Sequence, residues 1–401
     1  MEIAFFSDSY VPNRDGTAVV VDALARAIVR QGHRVRIYAP RSTPGPTEHV
    51  EDANGLSIAR IRSHAVPLYS VYRSPYSMSL FTAISARELR REVDLLHVHT
   101  PGLMGTAGFL LARRIGRPLV GTFHTDLRAM HTAVRPKAGV PTFFRIASWY
   151  SLGVYWRCDR ATAPTSSARA AMEASATKRF RSPIEVVPNG IDLGRFRPDA
   201  YVPDWRARCG LPNAPLVTYL GRLTVDKGVH RYLDAVREVS ATVDLVGIIA
   251  GVGPEEAAVR ERIAADPVLS ARVRYVGPVT EEEKPALLAQ SDLFVLASTS
   301  DTASVVLLEA MACGTAVIGP AVGGPAEVLG GGAHGRAVPV GTRGALSEAI
   351  RDLLEHDRTR RELAERGRAY VSEHASVDAM ATRFLGIYRE VLAKRSPTGD
   401  G

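Results

Sequence analysis

Short apolar segments alternate with helical patterns through almost the whole chain, and this alternation restricts the fold more than any other feature. The strands predicted for the first half are residues 2–7, 34–39, 56–61, 95–98, 118–123, 160–164 and 184–187. Those predicted for the second half are residues 216–220, 243–250, 272–276, 292–297 and 315–319. Helical periodicity lies between them, as in residues 18–31. Strands interleaved with helices predict an α/β protein with parallel sheets covered on both faces.

The chain is long enough for two domains, since it has 401 residues of which 46% are hydrophobic. A stretch rich in Pro, Asp and Gly, residues 188–203, indicates the linker. We therefore predict an N-terminal domain over residues 1–190 and a C-terminal domain over 191–375. Residues 376–401 are predicted to form a closing amphipathic helix followed by a disordered tail from residue 396.

Cysteine content and the pattern of the termini favour a cytoplasmic protein. The three cysteines, Cys158, Cys209 and Cys313, have neither metal-ligand spacing nor the pattern of a disulfide framework. The chain enters a strand directly after Met1 and shows no basic leader region, so we expect no signal peptide. No apolar run reaches the length of a membrane span.

Positive charge is concentrated in one segment of the chain. The formal net charge is +8, and residues 128–182 contain ten Arg or Lys against two acidic residues. Such a segment attracts an anionic membrane surface or an acidic acceptor, so peripheral association with the inner face of a membrane stays open beside an acidic acceptor. Nucleic acid is not expected as a partner, because no nucleic-acid-binding module is recognisable. Residues 143–157 are aromatic with basic ends; packing on the sheet is favoured over a membrane-interface helix.

The stretch from Leu216 to Gly228 carries the first candidate site. A predicted strand ends at Gly221, and a helical pattern begins after Gly228. The connecting loop contains Arg222 and Lys227 close to a helix N-terminus, where backbone N–H groups already favour an anion. An Arg fork and a Lys point charge together suit a diphosphate, although a solvated loop with two surface cations is equally compatible with this stretch alone.

A second stretch, residues 300–318, places Asp301 and Glu309 eight positions apart after another predicted strand. Together, residues 216–228 and 300–318 resemble the C-terminal domain of retaining GT-B glycosyltransferases of family 4, the "group 1" type. Residues 187–192 (VPNGID) and 123–126 (FHTD) match the same family in the same order. The resemblance covers nearly the whole chain, and its C-terminal motifs are the specific ones.

This resemblance implies a fold of two Rossmann-like parallel-sheet domains facing each other across a cleft, with the C-terminal helix crossing back to the first domain. It also implies a retaining enzyme that moves a hexose or amino-hexose from a UDP- or GDP-sugar to a hydroxyl acceptor. The acceptor stays open between a small polar natural product or cyclitol and a lipid headgroup. The alternatives are a nucleotide-sugar epimerase and an inactive nucleotide-sugar-binding subunit on the same fold.

The resemblance also assigns roles to individual residues on the donor side. Arg222 and Lys227 would stabilise the charge on the departing diphosphate, and Glu309 would hold the ribose hydroxyls. Asp301 stands where the family usually has Glu and would contact the hexose, although a helix N-cap is the ordinary alternative. The remaining donor contacts are expected at Val276, Gly277, Ser304 and Val305. Glu309 could instead be an exposed helix carboxylate.

Two positions of the first half complete the predicted site. His124 follows a predicted strand and would contact the hexose or the reaction centre. Gly16 would let the acceptor or a phosphate approach the backbone closely, but Asp15-Gly16 replaces the family's usual Gly pair, and a turn glycine is an equal alternative. Residues 60–82 are predicted to be an ordered loop on the acceptor side.

We expect no cofactor and no metal. The chain contains no Asp-x-Asp pair, with which many transferases hold the diphosphate through a divalent ion, and no cluster with metal-ligand spacing.

Two further stretches, one acidic and one rich in Gly, are better explained by local structure than by catalysis or phosphate binding. Residues 280–283 (TEEE) form a capping box that opens a helix, and Gly251-Val-Gly253 indicates a turn more than a phosphate contact.

Overall fold

The computed structural model describes residues 1–13, 15–52, 55–66, 69–76, 84–124, 149–176, 178–200, 205–208, 210–299 and 301–394. Its strands are β1 Glu2–Phe6, β2 Arg34–Pro40, β3 Glu48–Glu51, β4 Leu56–Ile61, β5 Ser63–Val66, β6 Tyr69–Pro75, β7 Leu95–Val98, β8 Leu119–Thr122, β9 Arg160–Ala163, β10 Glu185–Val186, β11 Leu216–Leu220, β12 Val246–Ala250, β13 Val273–Gly277, β14 Leu293–Val295, β15 Ala316–Pro320 and β16 Arg336–Val338.

Its α-helices are α1 Gly16–Arg30, α2 Ala86–Glu92, α3 Leu103–Ile115, α4 Ser166–Ser175, α5 Trp205–Arg208, α6 Val229–Val239, α7 Glu256–Ala265, α8 Pro267–Arg272, α9 Lys284–Ala289, α10 Val305–Ala312, α11 Gly323–Val328, α12 Ala345–Glu355, α13 Asp357–His374 and α14 Val377–Ala393. Residues 149–155 are also helical. Two 3₁₀ turns, Val225–Lys227 and Gly330–Gly332, complete the described elements.

The described residues fall into two compact units. The first runs from Met1 to Gly190 and resumes at Val377, and the second is Ile191–Ser376. The sheet of the first unit has the order β10-β9-β8-β7-β1-β2-β4-β3, and all of its pairs are parallel except β3 with β4. The strand order reverses direction between β1 and β7, which makes this the switch point of the first sheet.

The second unit contains a fully parallel sheet with the order β13-β12-β11-β14-β15-β16. This is the strand order of a Rossmann sheet, and its switch point lies between β11 and β14. Strand β12 is buried along its whole length, as expected for a strand with helices over both faces. Helix α6 turns Tyr232, Leu233 and Val236 towards the core of this unit. The predicted α/β architecture of two Rossmann-like domains is confirmed.

The last helix of the chain belongs to the first unit, as predicted. Arg30 of α1 forms an ion pair with Asp378 of α14 at 3.0 Å. Further along α14, the hydroxyl of Tyr388 lies 2.7 Å from Nδ1 of His97, and Phe384 packs 5.2 Å from the His97 ring. Helix α14 thus covers the sheet with buried side chains, although some 280 residues of sequence separate it from β7.

Several predictions about local structure were wrong. The predicted loop over residues 60–82 contains an antiparallel hairpin of β5 and β6. The predicted strand 243–250 begins at Val246, and β16 was not predicted. The predicted disordered tail from residue 396 lies outside the described residues, as do residues 128–148 of the basic segment. In the aromatic segment, Leu152, Tyr155 and Trp156 are buried, which confirms packing on the sheet for that part.

Candidate functional site

Two loops meet at the switch point of the second sheet. Residues 221–228 follow β11, and residues 296–301 follow the neighbouring strand β14. The amide N–H of Thr299 donates to the carbonyl of Asp226 at 3.0 Å, which ties the second loop to the first. In open α/β sheets, ligands bind beyond the carboxyl ends of the strands at this point. The two sequence stretches singled out above are therefore brought together at the expected place.

Gly228 lets the two loops approach closely. It has φ +72° and joins the 3₁₀ turn Val225–Lys227 to α6. A Cβ atom at this position would lie 2.1 Å from the carbonyl oxygen of Ala297. Only a glycine satisfies both the left-handed conformation and this backbone contact. The close approach fixes the position of the preceding residue, Lys227.

Lys227 and Asp301 form the central ion pair of the site. The Lys227 Nζ donates to Asp301 Oδ2 at 2.8 Å, and both side chains are about four-fifths buried, with exposed fractions of 21% and 17%. Burial alone would raise the pKa of Asp301, but the Lys227 charge and the contacts with Ser304 lower it below its ordinary value. Asp301 is therefore ionised at neutral pH.

Asp301 also contacts the start of helix α10. Its Oδ1 accepts a long hydrogen bond, 3.4 Å, from the amide of Ser304. The N-cap alternative for Asp301 is thus present in a weak form, alongside the ion pair with Lys227. Val305, the first residue of α10, is half-buried and packs against the apolar cluster beneath that helix.

Arg222 is a second cation at this edge of the sheet. Its side chain is exposed and forms no ion pair with any residue that the structure describes. Its backbone is fixed, however, because the Tyr219 hydroxyl donates to the Arg222 carbonyl at 2.9 Å. A guanidinium on an anchored loop, with its donors unoccupied, can accept an anion at little cost in reorganisation.

Glu309 is buried, so the alternative of an exposed helix carboxylate was wrong. It is 1% exposed on α10, and its Oε1 accepts from Lys284 Nζ at 2.8 Å. Burial alone would lower the pKa of Lys284, but Glu309 and Glu281 raise it. Glu281 in turn pairs with Arg195 at 2.5 Å. Sequence reasoning missed Lys284, which lies 25 residues from Glu309.

The carboxyl ends of β12 and β13 extend the same edge of the sheet. Val276 and Gly277 end β13, and the Gly277 carbonyl accepts from the amide of Gly251 at 2.8 Å. Cβ atoms at Gly251 and Gly253 would lie 1.9 and 2.3 Å from the carbonyls of Gly221 and Leu223. The Gly-x-Gly stretch thus allows the loop after β12 to pack on the loop after β11, and the structure gives it a packing role.

Three histidines gather at the carboxyl ends of β7 and β8 in the first unit. His97 and His99 are fully buried, and His99 Nδ1 lies 3.2 Å from His124 Nε2. Burial lowers the pKa of all three, and that of His124 to about 4. They are therefore neutral near pH 7. The predicted site residue His124 has the expected position, but its partner His99 was not identified from the sequence.

Asp8 lies beside these histidines at the switch point of the first sheet. Its Oδ1 accepts from the amide of Met104 at 2.9 Å, and its Oδ2 accepts from Thr100 Oγ1 at 2.6 Å. Burial raises the pKa of this carboxyl group, and these hydrogen bonds oppose that rise. The Asp8 carboxylate thus accepts hydrogen bonds from the first turn of α3 and from the residue that follows β7 and His99.

A cavity of about 400 Å³ opens at the carboxyl ends of β1, β2 and β4 and is lined by Val11, Pro12, Arg41, Ser42, Thr43, Glu48 and Arg60. Arg60 Nη1 donates to the Val11 carbonyl at 2.7 Å, and Arg41 pairs with Glu48 at 3.0 Å. This cavity could not be predicted from the sequence, because Arg41 follows β2 whereas Arg60 belongs to β4.

Gly16 is the first residue of α1 and is exposed. The side chain of the preceding residue, Asp15, accepts a hydrogen bond from the amide of Ala18 at 3.0 Å and so caps this helix.

Within the described ranges, no group of three or more His, Cys, Asp or Glu side chains could hold a metal ion. Among those same residues, no helix is both long and apolar enough to cross a membrane.

Two family models match successive parts of the chain. The model "Glycosyltransferase Family 4" matches residues 14–195, and "Glycosyl transferases group 1" matches residues 203–370. Together with the Rossmann sheet and the Lys227–Asp301 pair, these matches define the class. The chain belongs to the family 4 glycosyltransferases of the GT-B fold, and it is a nucleotide-sugar-dependent glycosyltransferase.

Similar proteins agree with this class over their full lengths. A GDP-mannose-dependent alpha-mannosyltransferase of Mycobacterium tuberculosis is 28% identical over 99% of this chain and 98% of its own length. A D-inositol 3-phosphate glycosyltransferase of Xylanimonas cellulosilytica is 29% identical over 95% of this chain and 93% of its own. Among solved structures, a sucrose-phosphate synthase from Thermosynechococcus elongatus has a TM-score of 0.81 at 22% identity; it covers 98% of this chain and 100% of its own.

Proposed function

We propose that this protein transfers a hexose, with retention of configuration, from a nucleoside-diphosphate sugar to a hydroxyl acceptor, and that cationic side chains replace a metal ion at the diphosphate. The observation that carries the proposal is the ion pair between Lys227 and Asp301 at the switch point, on the loop that also carries Arg222, for which the described residues supply no ion-pair partner. One cation is held in place before the donor arrives, and the other is free to receive it.

The chemistry requires charge to be stabilised on the leaving group. Cleavage of the anomeric bond leaves a nucleoside diphosphate with an additional negative charge, and preorganised cations stabilise such charge strongly in a partly buried site. Lys227 shares its charge with Asp301, and Arg222 has its donors available. Arg222 would therefore bind the diphosphate directly, while Lys227 would bridge it to Asp301.

Asp301 would contact hydroxyl groups of the hexose. Its position is set by the ion pair with Lys227 and by the amide of Ser304, so the carboxylate is ionised and fixed before binding. Glu309, held by Lys284, would accept the ribose hydroxyls, and Val276 and Gly277 would border the base. In the first unit, neutral His124 would contact the hexose. An uncharged imidazole can donate a hydrogen bond to the sugar without repelling the positive charge that develops on it during transfer.

GDP-mannose is our first candidate for the donor. The mannosyltransferase from Mycobacterium tuberculosis matches this chain over nearly its full length, and its name specifies that donor. For the acceptor we favour a polyhydroxylated molecule such as a cyclitol, received at the carboxyl edge of the first sheet. The cavity lined by Arg41, Ser42, Thr43 and Arg60 offers donors of the kind that such a molecule needs, and the inositol phosphate named for the second relative is consistent with this choice.

Donor binding is tested first by thermal shift. We expect GDP or UDP, and their sugars, to raise the melting temperature without added divalent metal and in the presence of a chelator. Transfer is then assayed by nucleotide release with a panel of acceptors. Release that needs both donor and acceptor is the expected result. Release that occurs only with added Mg²⁺ or Mn²⁺ would contradict the metal-independent part of the proposal.

The cationic role is tested by Arg222→Gln and Lys227→Met. Each variant should lower kcat by roughly 100- to 1000-fold, the usual effect of removing one donor to a developing anion. Arg358→Gln is the control, since Arg358 is 93% exposed on α13 in the same unit and should leave kcat unchanged. Near-normal kcat in both site variants would refute the proposed role of the two cations.

A further inference from the structure

A second pocket lies at the opposite edge of the first unit's sheet, where β8 and β9 begin. Its volume is about 210 Å³, and Leu119, the first residue of β8, lines it. His124 follows the other end of β8, so roughly 15 Å of extended chain separates the two places. This pocket is therefore not part of the site described above.

The pocket is strongly cationic. Four arginines and one carboxylate line it: Arg113, Arg117, Arg157, Arg181 and Asp159. The carboxylate of Asp159 is already engaged, because its Oδ2 accepts from the amide of Leu119 at 2.8 Å and its Oδ1 lies 3.6 Å from Arg181. One acid balances at most one of the four guanidinium groups, so the lining carries a formal charge of +3.

Most of the guanidinium donors have no acceptor among the residues that the structure describes. Arg113 forms no hydrogen bond or ion pair with any residue of the described ranges. Arg117 donates through Nη2 to the carbonyl of Arg90 at 2.8 Å, but its Nε is buried and lacks a partner. A buried donor that has lost its water without gaining an acceptor is unfavourable. An oxyanion in the pocket would satisfy such donors.

Two of the arginines lie within cation–π distance of the same aromatic ring. The Cζ atoms of Arg113 and Arg157 lie 5.8 and 6.0 Å from the centroid of the Phe109 ring. Arg157 is also anchored by a hydrogen bond from its Nη1 to the carbonyl of Gly153 at 2.5 Å. Stacking on the ring restricts the side chains, so less conformational entropy is lost when a ligand binds.

We propose that this pocket binds a phosphate group, carried by a soluble phosphomonoester or by the headgroup of an anionic phospholipid. Several arginine forks match the tetrahedral oxygens of phosphate, and the pocket volume suits a phosphate with a small substituent. The site is separate from the donor site, so occupancy is expected to leave donor binding intact.

Exposed apolar side chains on neighbouring parts of the first unit would distinguish a phospholipid headgroup from a soluble phosphomonoester. Leu110 on α3 is 52% exposed, and Trp149 and Tyr150 are 58% and 45% exposed. The Tyr150 hydroxyl is hydrogen-bonded to Thr106, so Tyr150 lies against the N-terminal part of α3. A phospholipid would bring acyl chains to these apolar side chains, whereas a soluble phosphomonoester would not need them.

The soluble source is tested by calorimetric titration of the full chain with inorganic phosphate and with glycerol 3-phosphate, with glycerol as the uncharged comparison. We expect saturable binding of the phosphates that Arg113→Gln weakens roughly 10- to 100-fold, as for the loss of a charge-assisted hydrogen bond. The matched control is Arg114→Gln. Arg114 is the next residue of α3, is exposed and does not line the pocket, so its loss should have little effect.

The lipid source is tested by co-sedimentation with vesicles of phosphatidylcholine containing phosphatidic acid, compared with pure phosphatidylcholine. Arg113→Gln should reduce binding to the anionic vesicles more than Arg114→Gln does. Binding in either arm that depends on Arg113 supports the proposal and identifies the source. No binding by the wild type in both arms, or equal loss in the two variants, would overturn it. The melting temperature with GDP and with UDP is measured on the same protein samples. A failure of the proposed donor binding is thereby distinguished from a failure of the proposed phosphate binding.

Discussion

Ser304 has a backbone conformation that disfavours any side chain. It lies at the start of α10 with φ +35° and ψ 72°, and it is 4% exposed. A non-glycine residue held in such a region carries a strain of about 1–3 kcal/mol. We predict that Ser304→Gly will increase the free energy of unfolding by about 1 kcal/mol, after the greater freedom of glycine in the unfolded chain is subtracted.

Chemical denaturation with urea measures this change. Ser304→Ala is the control, because alanine also lacks the hydroxyl group but keeps the Cβ atom that the backbone disfavours. An unfolding midpoint that rises for glycine and not for alanine is the expected pattern. Equal midpoints for the two variants would show that the hydroxyl group, and not the backbone, decides the stability at this position.

The cluster of three histidines predicts how stability depends on pH. Burial lowers the pKa of His97, His99 and His124, so the unfolded chain binds protons at a higher pH than the folded chain does. Stability is then fully present above the ordinary pKa of about 6.5 and falls as the pH drops below it. With a folded pKa of about 4, His124 is expected to reduce stability by about 2 kcal/mol at pH 5.

Urea denaturation between pH 5 and pH 8 tests this prediction. His97→Gln retains groups that can hydrogen-bond to Tyr388 and Thr122 but cannot take up the proton. Its stability should fall less steeply below pH 6.5, by the contribution of one histidine. A wild-type free energy of unfolding that stays constant from pH 8 to pH 5 would contradict the assignment.

Part of the candidate site could be predicted from the sequence at this scale. Arg222, Lys227 and Asp301 follow neighbouring parallel strands, and strand ends meet at one edge of a sheet. Lys284 and His99 could not be assigned in the same way. Their partners Glu309 and His124 each lie 25 residues away, and the contacts depend on how a helix or a strand end is oriented.

At the scale of elements, the joint between the 3₁₀ turn and α6 determines where Lys227 lies. We predict that Gly228→Ala will destabilise the second unit by about 2–4 kcal/mol and will raise the KM for the donor. The new Cβ atom would meet the Ala297 carbonyl at 2.1 Å, so the loop must move away from β14 and take Lys227 away from Asp301.

Gly116→Ala is the matched control for this variant. Gly116 also has a left-handed backbone, with φ +71°, but a Cβ atom there would meet nothing within 4 Å. Only the conformational cost of about 1 kcal/mol remains for it. Urea midpoints for the two variants separate the steric effect from the backbone effect. Equal losses in the two variants would show that the contact with Ala297 is unimportant.

Elements with strong apolar patterns could be predicted, and short or polar ones could not. The bounds of β4, β7 and β11 agree with the apolar runs in the sequence. Strand β3 has no apolar alternation: all four of its residues are exposed, and it joins the sheet through its antiparallel pairing with β4. The hairpin of β5 and β6 was interpreted as a loop, since its Pro and Tyr residues resemble those of loops.

At the scale of the molecule, the chain returns to its first unit after the second one is complete. This return was predicted only from the family resemblance. The apolar pattern of α14 indicates that one face of the helix is buried, but it does not indicate which sheet that face covers. The structure supplies the specific contact: His97 of β7 lies between the Tyr388 hydroxyl and Thr122, with 2.7 Å on each side. All three side chains are buried, so the polar chain from α14 into the sheet is isolated from water.

Removing the Tyr388 hydroxyl tests whether α14 stabilises the first unit specifically. Tyr388→Phe leaves Nδ1 of His97 buried without its partner, which destabilises by about 1–3 kcal/mol. Tyr150→Phe is the control, because the Tyr150 hydroxyl also bonds within the first unit but its side chain is 45% exposed. Hydrogen exchange should become faster in β7 and α14 of Tyr388→Phe and remain unchanged in β11 and β12. Faster exchange spread evenly over both units would mean that the two unfold as one, so that α14 has no preferential effect on the first.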